Sequence, residues 1–127
     1  MEVLELHHVE IHVTDIDRAV DFYKSVLGLT QIQSPDFGYP GAWFSLGHGQ
    51  LHLMSNPDSP RIVRDIELNP DDVHFAIRVK SYSEALQRIK DMGIPYKASP
   101  HGKAPWPQIK IADPDGNMIE VNAAEVK

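Results

Sequence analysis

The feature that most limits how this chain can fold is that it is written twice. His8-Val9-Glu10-Ile11-His12-Val13 recurs 66 residues on as His74-Phe75-Ala76-Ile77-Arg78-Val79, and Leu27-Gly28-Leu29 recurs 65 residues on as Met92-Gly93-Ile94. In the first copy, Val9, Ile11 and Val13 alternate with His8, Glu10 and His12, predicting a strand over 3–14 with one buried face. Thr14-x-x-Asp17 resembles a capping box with Asp in place of Glu and predicts a helix start. Ile16, Ala19, Val20, Tyr23, Val26 and Leu27 then recur at helical spacing, and Gly28 marks the stop. Strands are predicted over 29–34, 42–46 and 50–55, separated by Pro- and Gly-rich turns at 35–41 and 47–49.

The second copy repeats the order. A strand is predicted over 72–79, and Ser81-x-x-Glu84 is a full capping box. Tyr82, Ala85, Leu86, Ile89 and Met92 form the helical stripe that Gly93 closes. Strands follow over 95–98, 106–112 and 117–122, the last two joined by Asp113-Pro114-Asp115-Gly116. Between the copies, residues 57–70 carry Pro57, Pro60 and Pro70 and read as a linker, with a short helical or extended piece near 62–66. The expected architecture is α+β: two paired β-α-β-β-β modules, 1–56 and 71–127, in one domain over 1–127. Neither module, at about 60 residues, buries much surface alone, so they must pair within one chain or across a dimer.

Composition narrows the chemistry. With no cysteine, disulfides, thiolate catalysis and thiolate metal sites are excluded. With 12 Lys and Arg against 18 Asp and Glu, the formal charge of −6 argues against a nucleic-acid or anionic-membrane surface. No stretch approaches the ~20 apolar residues that span a bilayer, and the N-terminus lacks the basic start and apolar run of a signal peptide, so a cytoplasmic protein is expected. Seven histidines in so short a chain point instead toward a metal.

Strand phase gathers four of the polar groups. If each apolar face meets its helix, the first strand turns His8, Glu10 and His12 the other way, and the fourth turns Gln50, His52 and Met54. The second module turns His74, Ala76 and Arg78 that way from its first strand, and Met118, Glu120 and Asn122 from its last. His8, His52, His74 and Glu120 therefore share a face on repeat-related strands. Three imidazoles and a carboxylate without cysteine suit Zn, Ni, Co, Fe or Mn, with one or two positions left for water or substrate.

These motifs, together with Ala19-Val20-x-Phe22-Tyr23-x-x-Val26-Leu27-Gly28-Leu29 and Asp113-Pro114-Asp115-Gly116-Asn117-x-Ile119-Glu120, resemble the vicinal oxygen chelate superfamily over nearly the whole chain. That superfamily includes glyoxalase I, fosfomycin-resistance thiol transferases, methylmalonyl-CoA epimerase, extradiol dioxygenases and bleomycin-resistance proteins. The resemblance implies a cupped mixed sheet around one divalent ion, with ligands on the first and fourth strands of each module. Carried over, these are His8, His52, His74 and Glu120.

His52 is a departure, because glyoxalase I has Glu there and the epimerase Gln. The fosfomycin enzymes and extradiol dioxygenases use two His and one Glu, matched by His8, His74 and Glu120 with His52 spare. Bleomycin-resistance proteins lack the ligand set. The resemblance implies a metal-dependent lyase or isomerase of the glyoxalase I type, or an epimerase. It would act on a small vicinal-oxygen substrate through a metal-stabilised enediolate, with Glu120 as general base and a thiol such as glutathione as candidate cosubstrate. An extradiol dioxygenase, a fosfomycin-type thiol transferase and a non-catalytic ligand-sequestering protein are the alternatives. The resemblance also implies a homodimer, in which the metal lies within one chain or is shared.

Further residues are candidates for the substrate cleft. Glu10 and His12 share the His8 face. Trp43 and Trp106, read as lying on corresponding third strands, wall the cleft or pack an interface. Gln108 and Lys110 alternate with Ile109 and Ile111, and Arg78 is placed to meet a substrate anion or a surface carboxylate. His7, His48 and His101 are expected outside the site, and Phe22 and Tyr23 in the core.

Overall fold

The duplicated pattern folds as two mixed four-stranded sheets, each carrying one helix. The computed structural model describes residues 1–60 and 67–127 and divides the chain into two compact units, Met1–Val63 and Arg64–Lys127. The piece expected near 62–66 lies outside the described residues. Among those residues, no helix is long and apolar enough to cross a membrane.

The first unit runs β1 (His8–His12), α1 (Ile16–Ser25), β2 (Thr30–Ile32), β3 (Gly41–Leu46) and β4 (Gly49–Met54). Its sheet order is β1-β4-β3-β2, with β1 parallel to β4 and the other pairs antiparallel. The second unit repeats this as β5 (His74–Arg78), α2 (Tyr82–Asp91), β6 (Lys97–Ser99), β7 (Gln108–Ala112) and β8 (Met118–Asn122), in the order β5-β8-β7-β6. This is the expected α+β pattern. In each unit the strand that closes the repeat is inserted beside the strand that opens it.

One face of each sheet is apolar. In the first unit Phe44, Leu51 and Leu53 are buried with Ala19, Phe22 and Tyr23 of α1, which lies against β3 and β4. In the second unit Ile77, Ile109, Ile111, Ile119 and Val121 are buried, with Tyr82 and Ile89 of α2. Each large apolar side chain so buried contributes roughly 1.5–3 kcal/mol. The chain leaves both helices through glycine, Gly28 at φ 68° and Gly93 at φ 67°, a conformation that side chains with a Cβ rarely adopt.

Several element ends differ from expectation, two of them for a reason visible in the pairing. Thr14 was the expected cap of α1, but the cap is Asp15, whose side chain accepts from Arg18 N. The reason is that sheet pairing continues past β1: Val13 N donates to Met54 O and Ser55 Oγ to Thr14 O, so the chain turns only at Asp15. Ser81 caps α2 as expected, accepting from Glu84 N. Secondly, β1 begins at His8 rather than at residue 3, because its partner β4 begins only at Gly49.

Candidate functional site

The faces turned away from the helices carry the polar candidates, and the two units use them differently. In the first unit, register sets Glu10 and Trp43 on either side of His52, near the middle of the inner strand β4. His52 is buried, its ring stacked on Trp43 at 3.8 Å and 3° and on His8 at 4.2 Å and 18°. Since β1 and β3 flank β4, these rings cover its two faces. His52 Nε2 donates to Gln50 Oε1 at 2.8 Å. Burial first, then the neighbouring His8, lowers the His52 pKa, with Glu10 opposing. The ring is therefore neutral at pH 7, the form in which imidazole ligates a metal.

His8 and His52 do not converge on one point as they stand. An imidazole lone pair lies in its ring plane, so rings stacked nearly parallel aim their lone pairs along separate planes. Turning the exposed His8 ring, which now meets His7 at 2.9 Å between Nδ1 atoms, would be needed to bring both onto one ion. His12 is turned toward the end of β4, its Nε2 donating to Asn56 O at 3.1 Å.

The second unit gathers its candidates tightly. Glu120 occupies the centre of β8 and is only 6% exposed. Its Oε1 accepts from Asn122 Nδ2 at 2.7 Å and from Trp106 Nε1 at 3.0 Å. Its Oε2 faces Lys110 Nζ at 3.1 Å and His74 Nε2 at 3.5 Å. Lys110 Nζ in turn lies against the His74 ring, 2.9 Å from Nε2 and 3.5 Å from Nδ1. Burial pushes the Glu120 carboxyl up, but the hydrogen bonds from Asn122, Lys110 and Trp106 and the Lys110 charge outweigh it, so its pKa lies below the ordinary value.

His74 Nδ1 donates to Asp72 O at 2.9 Å, which leaves Nε2 as the acceptor facing Glu120. A backbone carbonyl holding the far ring nitrogen is the usual support of a metal-ligating histidine. Two donor atoms about 2.1 Å from one ion at a tetrahedral angle are about 3.4 Å apart, which the His74–Glu120 separation of 3.5 Å approaches. The pair thus fits a divalent cation. Among the described residues, no group of three or more His, Asp or Glu is arranged to hold one.

The remaining candidates are distributed around this pair. Arg78 lies 5.6 Å over the Trp106 ring, and Gln108 stands opposite Asn122 in the register. Trp106 precedes β7 rather than lying in it, so the register position matching Trp43 is held by Lys110. His7, His48 and His101 are exposed, and Phe22 and Tyr23 are buried. Gln50 and Asn122 were placed on these strand faces from the sequence but not offered as site residues. The available signal was their place two residues from His52 and Glu120 on the same strand faces.

The sequence pattern of the Glyoxalase/Bleomycin resistance protein/Dioxygenase superfamily matches residues 5–121. Glyoxylase I 4 of Arabidopsis thaliana is 30% identical over 95% of this chain and 71% of its own length. Lactoylglutathione lyase of Neisseria meningitidis serogroup A is 30% identical over 92% of this chain and 88% of its own. A mutant of the fosfomycin resistance protein FosX from Listeria monocytogenes, crystallised with Mn(II) and a dihydroxypropylphosphonic acid, shares the fold. Its TM-score is 0.75 at 21% identity, covering 98% of this chain and 95% of that one. A repeated β-α-β-β-β unit, a histidine and a glutamate brought together on the second sheet, and a sequence match over nearly the full length lead to one conclusion: the chain belongs to the glyoxalase/bleomycin resistance protein/dioxygenase superfamily.

Proposed function

We propose that this protein is a divalent-metal-dependent lyase or isomerase of the glyoxalase I type, acting on a small substrate with adjacent oxygens. The observation that carries the reading is the His74–Glu120 pair, each member held from behind by its own neighbours. His74 and Glu120 are the proposed ligands from the second unit, and the family resemblance offers His8 and His52 as further ligands, from the same chain or from a partner. The relatives named glyoxylase I and lactoylglutathione lyase support the reaction class, and a glutathione-type thiol is the cosubstrate it implies. The Mn(II) and vicinal diol bound by FosX support the metal and the substrate class. The working form is proposed to be a cytoplasmic homodimer.

A bound divalent cation supplies Lewis-acid polarisation of the substrate oxygens. The chain's own residues supply the proton chemistry. Glu120 is ionised at neutral pH, and Trp106 and Asn122 hold its Oε1, so Oε2, once it is no longer a ligand, is the atom that takes a proton from carbon beside a carbonyl and returns it to the neighbouring carbon. The contacts that lower the Glu120 pKa also weaken it as a base, so loss of the Lys110 contact strengthens it. Arg78, over Trp106, is the candidate partner for an anionic group of the substrate.

Elemental analysis of untagged protein purified without added metal tests this reading. About one Zn, Ni, Co, Fe or Mn ion per chain is expected, lost in His74→Ala and Glu120→Ala, together with isomerase activity on a glutathione hemithioacetal. No metal after dialysis against these ions overturns the enzyme and favours a ligand-sequestering protein. A second reading, a thiol transferase or ring-cleaving dioxygenase using His8, His74 and Glu120 alone, is favoured by the stack and hydrogen bond that already occupy His52. Full metal content in His52→Ala would select it.

A further inference from the structure

We propose that Lys110 is a built-in competitor for the divalent cation: its ammonium lies against the same two atoms, His74 Nε2 and Glu120 Oε2, that would ligate the ion. The inference rests on the metal reading above and concerns what sets the affinity. Lys110 is 8% exposed, and its position in β7 is directly opposite Glu120 in the register. The contacts are selective. Glu120 Oε1 is satisfied by neutral donors, Trp106 and Asn122, whereas Oε2 is left to the ammonium and to His74. Lys110 Nζ stands 2.9 Å from His74 Nε2, the nitrogen that the bond to Asp72 O leaves unprotonated, and 3.5 Å from Nδ1, so its charge lies against the ring and not along the Nε2 lone pair. A lysine pairing with Glu120 merely to neutralise it would have no need of the histidine.

Two consequences follow from charge. A buried carboxylate with a lysine partner is compensated without a metal, so the metal-free protein carries no unpaired charge at this point. An ion arriving at the pair meets a positive charge within hydrogen-bond distance of both ligands, and that ammonium must withdraw on its flexible stem before the ion can be held. Lys110 therefore lowers affinity for cations while it keeps the pair pre-arranged.

The test is the affinity of the full-length, metal-free chain for Zn²⁺ and for Mn²⁺, each read by competition with a chromophoric chelator and without substrate. Lys110→Met keeps the length of the side chain and removes the charge. It is expected to tighten binding by about tenfold or more, the size of effect that groups around metal ligands usually have. Lys110→Arg restores a cation and is expected to return affinity to within a few fold of wild type. If Lys110→Met does not fold, Lys110→Gln carries the same expectation. Unchanged or weaker binding in the neutral variant, while His74→Ala still abolishes binding, overturns the role of Lys110 and leaves the metal pair standing. Wild type and neutral variant both failing to bind, or binding that survives His74→Ala and Glu120→Gln, overturns the metal reading and the competitor with it.

Discussion

The two units have one topology and solve one problem, a polar side chain buried at the centre of a sheet, in opposite ways. In the first unit that side chain is His52, kept neutral and covered on its two faces by the rings of Trp43 and His8. In the second it is Glu120, kept charged and surrounded by Lys110, Trp106, Asn122 and His74. The register makes the comparison strict. Trp43 stands beside His52 as Lys110 stands beside Glu120, and His8 precedes its strand centre as His74 does. A ring is satisfied by flat, weakly polar surfaces, whereas a carboxylate needs donors and a counter-charge. The repeat supplies equal positions; the residue on each decides whether a face becomes a stack or an ion cluster.

Removing the central side chain should show the largest difference. In metal-free protein, Glu120→Ala strands the Lys110 charge and is expected to lower stability by about 3–5 kcal/mol. His52→Phe preserves a ring between Trp43 and His8 and is expected to cost less than about 1.5 kcal/mol. Urea unfolding monitored by circular dichroism measures both, and equal losses would break the contrast.

Acid should separate the two sites next. A lowered pKa in the fold stabilises the deprotonated form, so the stability is present above the unfolded value and is lost as pH falls through the folded one. For His52 the loss begins below its ordinary 6.5, and for Glu120 below 4.5. His52→Phe should flatten the first arm of urea midpoint against pH and Glu120→Gln the second. If either variant flattens the wrong arm, the assignment of charge states fails.

The helix caps should behave alike where the strand centres do not. Asp15→Ala and Ser81→Ala each remove a side-chain acceptor for a helix N–H and are each expected to cost about 1 kcal/mol in thermal or urea unfolding. The smallest effect belongs to Tyr82, whose buried hydroxyl has no hydrogen-bond partner among the described residues. Tyr82→Phe removes that unsatisfied group and is expected to leave stability equal or raise it by up to about 1 kcal/mol near neutrality. Burial raises the Tyr82 pKa, so the wild type, but not this variant, should lose stability as pH climbs above about 10.

Much of the fold was legible because it rests on local rules. Alternation at Val9, Ile11 and Val13 and at Ile109 and Ile111 identifies strands with one apolar face, and Gly28 and Gly93 identify helix ends. The shared faces of His8 with His52 and of His74 with Glu120 follow from that phase. Strand ends were less legible, since a strand lasts only as long as its partner: β1 waits for β4, and α1 is capped one residue beyond Thr14 for the same reason. Trp106 shows the same limit. Its flanking prolines and alternating neighbours read as strand, yet β7 begins at Gln108 and the indole is free to reach Glu120.

Sequence alone determined the duplication, the sheet faces and the residue types offered to the site, because side-chain alternation and turn chemistry are properties of neighbours along the chain. Tertiary structure alone decided which atoms meet: the two imidazoles lying flat against each other, and a lysine set against both His74 and Glu120. Such contacts depend on register between strands distant in sequence and on the rotamers that burial selects, and neither is encoded in any one stretch of residues.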